Sequence, residues 1–282
     1  MFFLNGFHQN LETIISISKY TSSNQCFNNT ASLKTAYIKT LKKIQPNTWQ
    51  NHSFSKNIYD HKIIESLLSS FSQQESFSKE NIHKSRLEYT EKASMKASLS
   101  RIDSALSQLK VKAPQIYDLF FLVVNTLFYW RSVNQSGGST SNAIGVIWVS
   151  NRKNWNLWDT IEFLVHEVTH QLMFLDELRF IHYKNYTEIN DPEKFSLSAI
   201  LCKPRPMDKV IHSLVVGFEI LSLRQHLNTS EYSFSLHPGY NKLKEDCIET
   251  IDSINSTNKK HNLLTAKSLE IIEKINFQLK GL

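Results

Sequence analysis

Leu157-Trp-Asp-Thr-Ile-Glu-Phe-Leu-Val-His-Glu-Val-Thr-His-Gln-Leu-Met-Phe-Leu-Asp-Glu-Leu178 reads as one long helix, and the rest of the chain takes its places around it. Leu157, Ile161, Leu164, Val165, Val168, Leu172, Leu175 and Leu178 recur at spacings of three and four, which lays one apolar stripe along a 3.6-residue period. Asn156 is placed to cap the first turn, and Asp159 and Glu162 lie near the positive end of the helix dipole. In the middle stands His166-Glu167-Val168-Thr169-His170, whose two histidines and glutamate an apolar helix tolerates only when they are paired or ligated.

Upstream, the character of the sequence changes after Ala113-Pro114. The apolar run Ile116 to Trp130, the loop Asn134-Gln-Ser-Gly-Gly-Ser-Thr-Ser-Asn142 and the β-prone run Ala143 to Val149 predict an antiparallel pair, the chain's only sheet, with the first run beginning as strand or as buried helix. Before it come helical stripes joined by Ser- and Asn-rich connectors: Leu33, Tyr37, Leu41 and Ile44; Ile63, Ile64, Leu67, Leu68 and Phe71; Met95, Leu99, Ile102, Leu106 and Leu109. These are core stripes of a bundle and carry no chemistry.

Downstream, a polar connector through Asp191-Pro192 leads to Lys203-Pro-Arg-Pro206 and a buried helix, Val210 to Leu223, with Asp208 at its start. Two further amphipathic helices, Leu243 to Ile254 and Leu264 to Leu279, are expected on either side of Asn255-Ser-Thr-Asn258. The predicted fold is α+β and mainly α-helical, a helical bundle with a small antiparallel hairpin next to the helix of His166 and His170. Residues 1–112 form its N-terminal helical region and 113–282 its metal-binding catalytic region.

Composition narrows the function. A chain of 282 residues that is 41% hydrophobic can bury a sizeable core, so it needs no disulfide scaffold. Only 7 glycines and 6 prolines argue against propellers and glycine-rich nucleotide-binding turns. The net charge of +6 is spread along the chain rather than gathered into a basic arm, so no nucleic-acid partner is expected. Cys26, Cys202 and Cys247 form neither a disulfide framework nor a thiolate zinc spacing. With no export signal and no membrane span read, since Asp118 and Asn125 break the most apolar run, a cytoplasmic location is expected.

The histidines of H-E-x-x-H lie four apart, on one helix face and about 5–6 Å between Cβ atoms, so both imidazoles can meet one metal ion. In a zinc peptidase the intervening glutamate, here Glu167, is the base for a metal-bound water. The extension that would bring a third ligand from the same segment needs glycine where Met173 stands and places Asp176 at the ligand position. Lacking that glycine, the helix continues, leaving Asp176 and Glu177 as solvated-face or capping acids. The third ligand is therefore expected from the later helix: His212, or else Glu219 seven residues on. A Glu219 ligand would make a two-histidine, one-carboxylate set suited to non-haem Fe(II); otherwise Glu219 orients a ligand.

Phe163-Leu-Val-His-Glu-Val-Thr-His-Gln-Leu172, preceded by Ser141-Asn-Ala-Ile-Gly-Val-Ile-Trp-Val-Ser150 and followed by Lys203-Pro-Arg-Pro-Met-Asp-Lys-Val-Ile-His212, resembles the HExxH-type peptide β-hydroxylases of ribosomal peptide natural-product pathways. The match runs over roughly residues 113 to 227. The resemblance implies Fe(II) with 2-oxoglutarate as cosubstrate, and hydroxylation of a side-chain β-carbon of a ribosomally made precursor peptide. It implies metal ligands at His166, His170 and His212, the motif glutamate at Glu167, and an Arg-Pro arginine at Arg205.

Arg205 also has a physical argument of its own. Lys203, Arg205 and Lys209 cluster where the helix dipole disfavours cations, which an anion among them would relieve. A dicarboxylate could take both the guanidinium fork and free helix N–H groups. Arg131, Arg152 and Arg179 are weaker substitutes. Two other classes compete with the hydroxylase: a zinc metallopeptidase using the same histidines, and a metal-free helical binding protein.

Overall fold

The computed structural model describes residues 1–21, 26–46, 48, 54–56, 61–71, 89–132, 135–150, 152, 154–230, 232 and 234–282. Its backbone divides into two units, Leu11–Leu175 and Met1–Asn10 with Asp176–Leu282. The division falls inside the long helix. The architecture is α+β and mainly helical.

In the unit Leu11–Leu175, α1 (Phe2–Ser18), shared with the other unit, is followed by α2 (Thr30–Ile44), α3 (His61–Phe71), α4 (Tyr89–Lys112) and α5 (Pro114–Val123). The expected stripes are buried at Leu33, Tyr37 and Leu41, at Ile64, Leu67, Leu68 and Phe71, and at Met95, Leu99, Ile102, Leu106 and Leu109, while Ile63 is half-buried. Ile44, in the last turn of α2, is instead exposed. The run from Ile116 does begin as a buried helix, and its N-terminal turn carries Pro114, whose missing N–H costs nothing there.

The sheet of this unit corrects the sequence expectation. β1 (Ser55–Lys56), β2 (Thr126–Tyr129), β3 (Gly137–Gly138) and β4 (Val146–Val149) stand in the order β1-β2-β4-β3, and β2 and β4 are parallel, not antiparallel. A parallel pair needs a crossover of about a dozen residues or more, and residues 130–145 supply one. The glycine-bearing loop is therefore not a hairpin turn: it contains β3, antiparallel to β4, and a turn of 3-10 helix at Ser141–Ala143. All four residues of β4 are buried, as expected of a strand paired on both edges.

The quoted stretch forms α6 (Leu157–Arg179). Asn156 caps it as read: its Oδ1 accepts from the Asp159 amide at 2.9 Å while the Asp159 carboxylate accepts from the Asn156 amide at 2.9 Å, a reciprocal arrangement that satisfies two backbone donors.

The unit of Met1–Asn10 and Asp176–Leu282 is built on α7 (Met207–His226), whose residues from Val210 to Arg224 are all buried. Around it lie α8 (Tyr240–His261) and α9 (Ala266–Leu279). An antiparallel hairpin, β5 (Ser196–Leu197) with β6 (Pro204–Arg205), makes a second sheet. Asn255-Ser-Thr-Asn258 does not separate two helices but lies inside α8, which ends at Asn262 in the left-handed conformation after Lys259, Lys260 and His261. Basic residues at the negative helix end and the left-handed cap both favour that later stop. The Asn258 side chain accepts from the Leu264 amide beyond the cap at 2.9 Å.

Gly217 sets the close approach of α7 to α8, because a Cβ there would stand 2.7 Å from the Cys247 sulfur. Gly217→Ala gains about 0.5–1 kcal/mol of helix propensity but forces an overpacking cost of about 1–3 kcal/mol. Net destabilisation of about 1 kcal/mol is expected in urea denaturation, and a stabilised variant would show that α8 yields freely.

Candidate functional site

His166 and His170 meet as the spacing requires, with Nε2 atoms 3.1 Å apart. Two nitrogens bound to one ion at about 2.0–2.1 Å would be separated by about 2.9 Å at a right angle and about 3.3 Å at the tetrahedral angle. The observed separation lies between, so the pair fits two neighbouring positions on a metal. His166 keeps 19% of its side chain exposed, and His170 stacks on Phe174, rings 6.2 Å apart and 17° from parallel.

Glu167 lies on the adjacent, inward face of α6. Its Oε2 accepts from the Ser139 hydroxyl at 2.8 Å, and its Oε1 faces His166 Nε2 at 4.0 Å. Burial pushes its carboxyl up to about 7, against the smaller opposing effect of the Ser139 hydrogen bond. Four residues on, the same face presents Gln171, whose Oε1 accepts from the Gly145 amide at 2.5 Å and whose amide nitrogen donates to the Val146 carbonyl at 3.2 Å. Ser139 and the start of β4 thus hold α6 by two side chains one turn apart.

Ser139 and Gln171 were not singled out from the sequence. Gln171 carries a signal, as a polar residue on the apolar side of the helix one turn after Glu167. Ser139 carries none, being one hydroxyl in a run of serines and threonines whose pairing depends on β3.

The other candidates have partners of their own. His212 Nε2 donates to Glu177 Oε1 at 3.0 Å, and Tyr183 donates to the same oxygen at 3.2 Å. Burial opposes the charge of Glu177, but the His212 imidazole, with His182 and Tyr183, outweighs it and holds the carboxyl below its ordinary range. Asp176 is buried and accepts from His182 Nε2 at 2.9 Å. Asp176, buried, and Glu177, half-buried, are therefore partners of histidines rather than solvated-face acids: each stabilises an imidazole that burial would leave short of hydrogen bonds. Glu219 is fully buried and accepts from the amides of Phe3 and Leu4 at 3.0 and 2.9 Å, capping the start of α1. Among the described residues no three His, Cys, Asp or Glu side chains are grouped to hold a metal ion; the structure gathers two of the expected donors.

Arg205 ends β6, just before Pro206 caps α7 without a side-chain hydrogen bond. Its Nε is buried and has no hydrogen-bond partner. Asp208 lies in the first turn of α7 and pairs with Lys209 at 3.1 Å. Arg152, a weaker substitute, donates to the Ser132 carbonyl at 2.8 Å, and Arg179 lies over the Phe180 ring at 4.8 Å. Compared with models of known protein families and with curated proteins, the sequence matches none. Among the described residues no helix is long and apolar enough to cross a membrane.

The Glu167 environment has a measurable consequence for the metal-free protein. A carboxyl raised from 4.5 to about 7 on folding binds more protons folded than unfolded across that window, so stability is highest below pH 4.5 and is lost as pH rises to 7. The loss is on the order of 3 kcal/mol. Glu167→Gln removes the titration and leaves an acceptor for Ser139. Denaturation in the presence of chelator should find the variant more stable than wild type at pH 8, with the gain shrinking toward pH 4.5; parallel pH profiles would refute the assignment.

Proposed function

We propose that this chain is a non-haem Fe(II), 2-oxoglutarate-dependent hydroxylase of a ribosomally made peptide, with His166 and His170 as metal ligands. When bound, the iron would supply the activation of dioxygen for oxidation of an unactivated carbon. The observation that carries the hydroxylase reading is Arg205. A guanidinium with a buried Nε lacking a partner, beside a helix start without a side-chain cap, is chemically suited to one end of a dicarboxylate. A hydrolase has no need of it.

The protein's own groups have separable tasks in this reading. The His166 and His170 rings would hold the ion, Glu167 steadies α6 through Ser139, and Arg205, in the other unit, is the arginine that the resemblance assigns to the cosubstrate carboxylate. A zinc peptidase remains the second reading, favoured by one observation: with Oε2 held by Ser139, Glu167 turns its other oxygen toward His166. There Oε1 could take a proton from a nucleophilic water.

Metal analysis of anaerobically purified protein tests the ligand set. One equivalent is expected in wild type and none in His166→Ala or His170→Ala, since two ligands on adjacent turns share one ion. His212→Ala should keep its metal, because the His212 Nε2 hydrogen is given to Glu177; loss of metal from that variant would return His212 to the ligand set.

Arg205→Ala removes a charge-assisted contact worth about 1.5–3 kcal/mol, a tenfold to hundredfold rise in the apparent constant for 2-oxoglutarate. Arg205→Lys should recover only part of it, lacking the planar fork, and both variants should keep the metal. Succinate formation with the gain of one oxygen on the peptide is the readout. Peptide cleavage by zinc-loaded protein without oxygen, lost in Glu167→Gln, would establish the peptidase instead.

A further inference from the structure

The turn that joins β5 to β6, residues 198–203, lies along α8. The Leu197 amide donates to the Ser253 hydroxyl at 2.9 Å and the Ser196 hydroxyl to Thr257 at 2.8 Å, so β5 follows one face of that helix. The Cys202 amide closes the turn on the Ser198 carbonyl at 2.8 Å, and the Ala199 amide ties it to the Ser213 hydroxyl of α7 at 3.2 Å. Cys202, exposed and at a φ of +48°, is thereby set against Asp246 of α8. Burial, then the Asp246 charge beside it, holds the thiol above its ordinary range.

Asp246 is only 3% exposed, and acids that deep are normally paired. Lys242, one turn earlier, donates to Oδ1 at 2.6 Å from a side chain that is 57% exposed. Oδ2 is buried and has no hydrogen-bond partner among the described residues. One turn after Asp246, Thr250 is fully buried on the same face, and its hydroxyl has no partner there either. Glu249 adds negative charge at the thiol and Lys242 opposes it. A water beside Oδ2 would satisfy a hydrogen bond but leave the charge, which an ammonium in solvent answers weakly. What fits is a cation with affinity for both sulfur and oxygen.

We infer that Cys202 and Asp246 form a site for a divalent cation of the zinc class, with Sγ and Oδ2 as its two protein ligands and water completing the shell. Calcium and magnesium take shells of oxygen, whereas zinc accepts thiolate and carboxylate together. On binding, the S–H proton leaves to solvent and the sulfur lone pair joins the metal. The Thr250 hydroxyl is available to a metal-bound water. Two protein ligands fall short of the four of a structural zinc site, so the ion is exchangeable. It fastens the turn to α8, and with the turn β6, which ends at Arg205. No spacing announces the site in the sequence, because a single thiolate has none.

The test is a cobalt(II) titration of the whole chain, read by thiolate-to-cobalt charge-transfer absorption. Only a sulfur ligand produces that band, so His166 and His170 do not contribute and the outcome is independent of the proposed function. A band that saturates at one equivalent, with one proton released, is expected. Cys202→Ser should abolish it and Cys26→Ser should leave it. Asp246→Asn should weaken binding about tenfold or more, since even partners outside the ligand shell are worth about that much. Unaltered protein gives a second reading that no misfolded variant can confuse: zinc should slow alkylation of Cys202 by about tenfold or more while Cys26 keeps its rate. No band up to about 1 mM cobalt, a band that survives in Cys202→Ser, unchanged affinity in Asp246→Asn, or alkylation of Cys202 indifferent to zinc would each overturn the inference.

Discussion

A carboxylate buried in the middle of an apolar helix must be answered locally, and the hydrogen bond from Ser139 to Glu167 is that answer. The desolvation of a lone carboxylate is costly, and one neutral donor offsets only part of it, which is why the carboxyl is raised to about 7. The contact fixes more than a proton. For Ser139 to reach Glu167, β3 must lie close on α6, and only glycine at position 137 lets it do so, because a Cβ there would enter the Phe163 ring. The Gln171 contacts to Gly145 and Val146 repeat the constraint one turn later. With both in place the helix can neither slide nor roll, and His166 and His170 keep the face on which their nitrogens converge.

In the unit that includes Asp176–Leu282 the same physics is used for packing. Two imidazoles are each answered by a carboxylate, His182 by Asp176 and His212 by Glu177, and Glu219 closes the open start of α1 with two amide hydrogen bonds. A buried pair with one member removed leaves an uncompensated group and costs far more than the intact pair contributes. Such pairs are therefore retained once established. They also look like ligands in a sequence, because metal binding and buried hydrogen bonding recruit the same residue types.

That ambiguity marks the limit of what was legible beforehand. The helix of 157–178, its Asn156 cap, the core stripes and the convergence of His166 with His170 depend on local periodicity, which a sequence displays. The parallel pairing of β2 with β4 does not, since a glycine-bearing loop between two β-prone runs has the same pattern whether it turns back or crosses over. The continuity of α8 through Asn255-Ser-Thr-Asn258 was hidden for another reason: weak helix formers in a row suggest a break, and only the basic last turn with a left-handed Asn262 shows where the helix ends. The partners of His212 and Glu219 arise from segments distant in sequence, Glu177 in one case and the α1 start in the other, so no spacing rule could reveal them.

Cys247 gives the α7–α8 contact an observable side. Its sulfur lies where a Cβ at Gly217 would come within 2.7 Å, the residue has no exposed surface, and burial pushes its thiol up to about 12. A thiol so placed is inert while the helices stay together, since the thiolate is the reactive form. Cys26 and Cys202 are exposed and stay within reach of reagent. The rate at which an alkylating reagent consumes the third thiol therefore clocks the parting of α7 from α8, a built-in stopwatch for local opening that needs no engineered label.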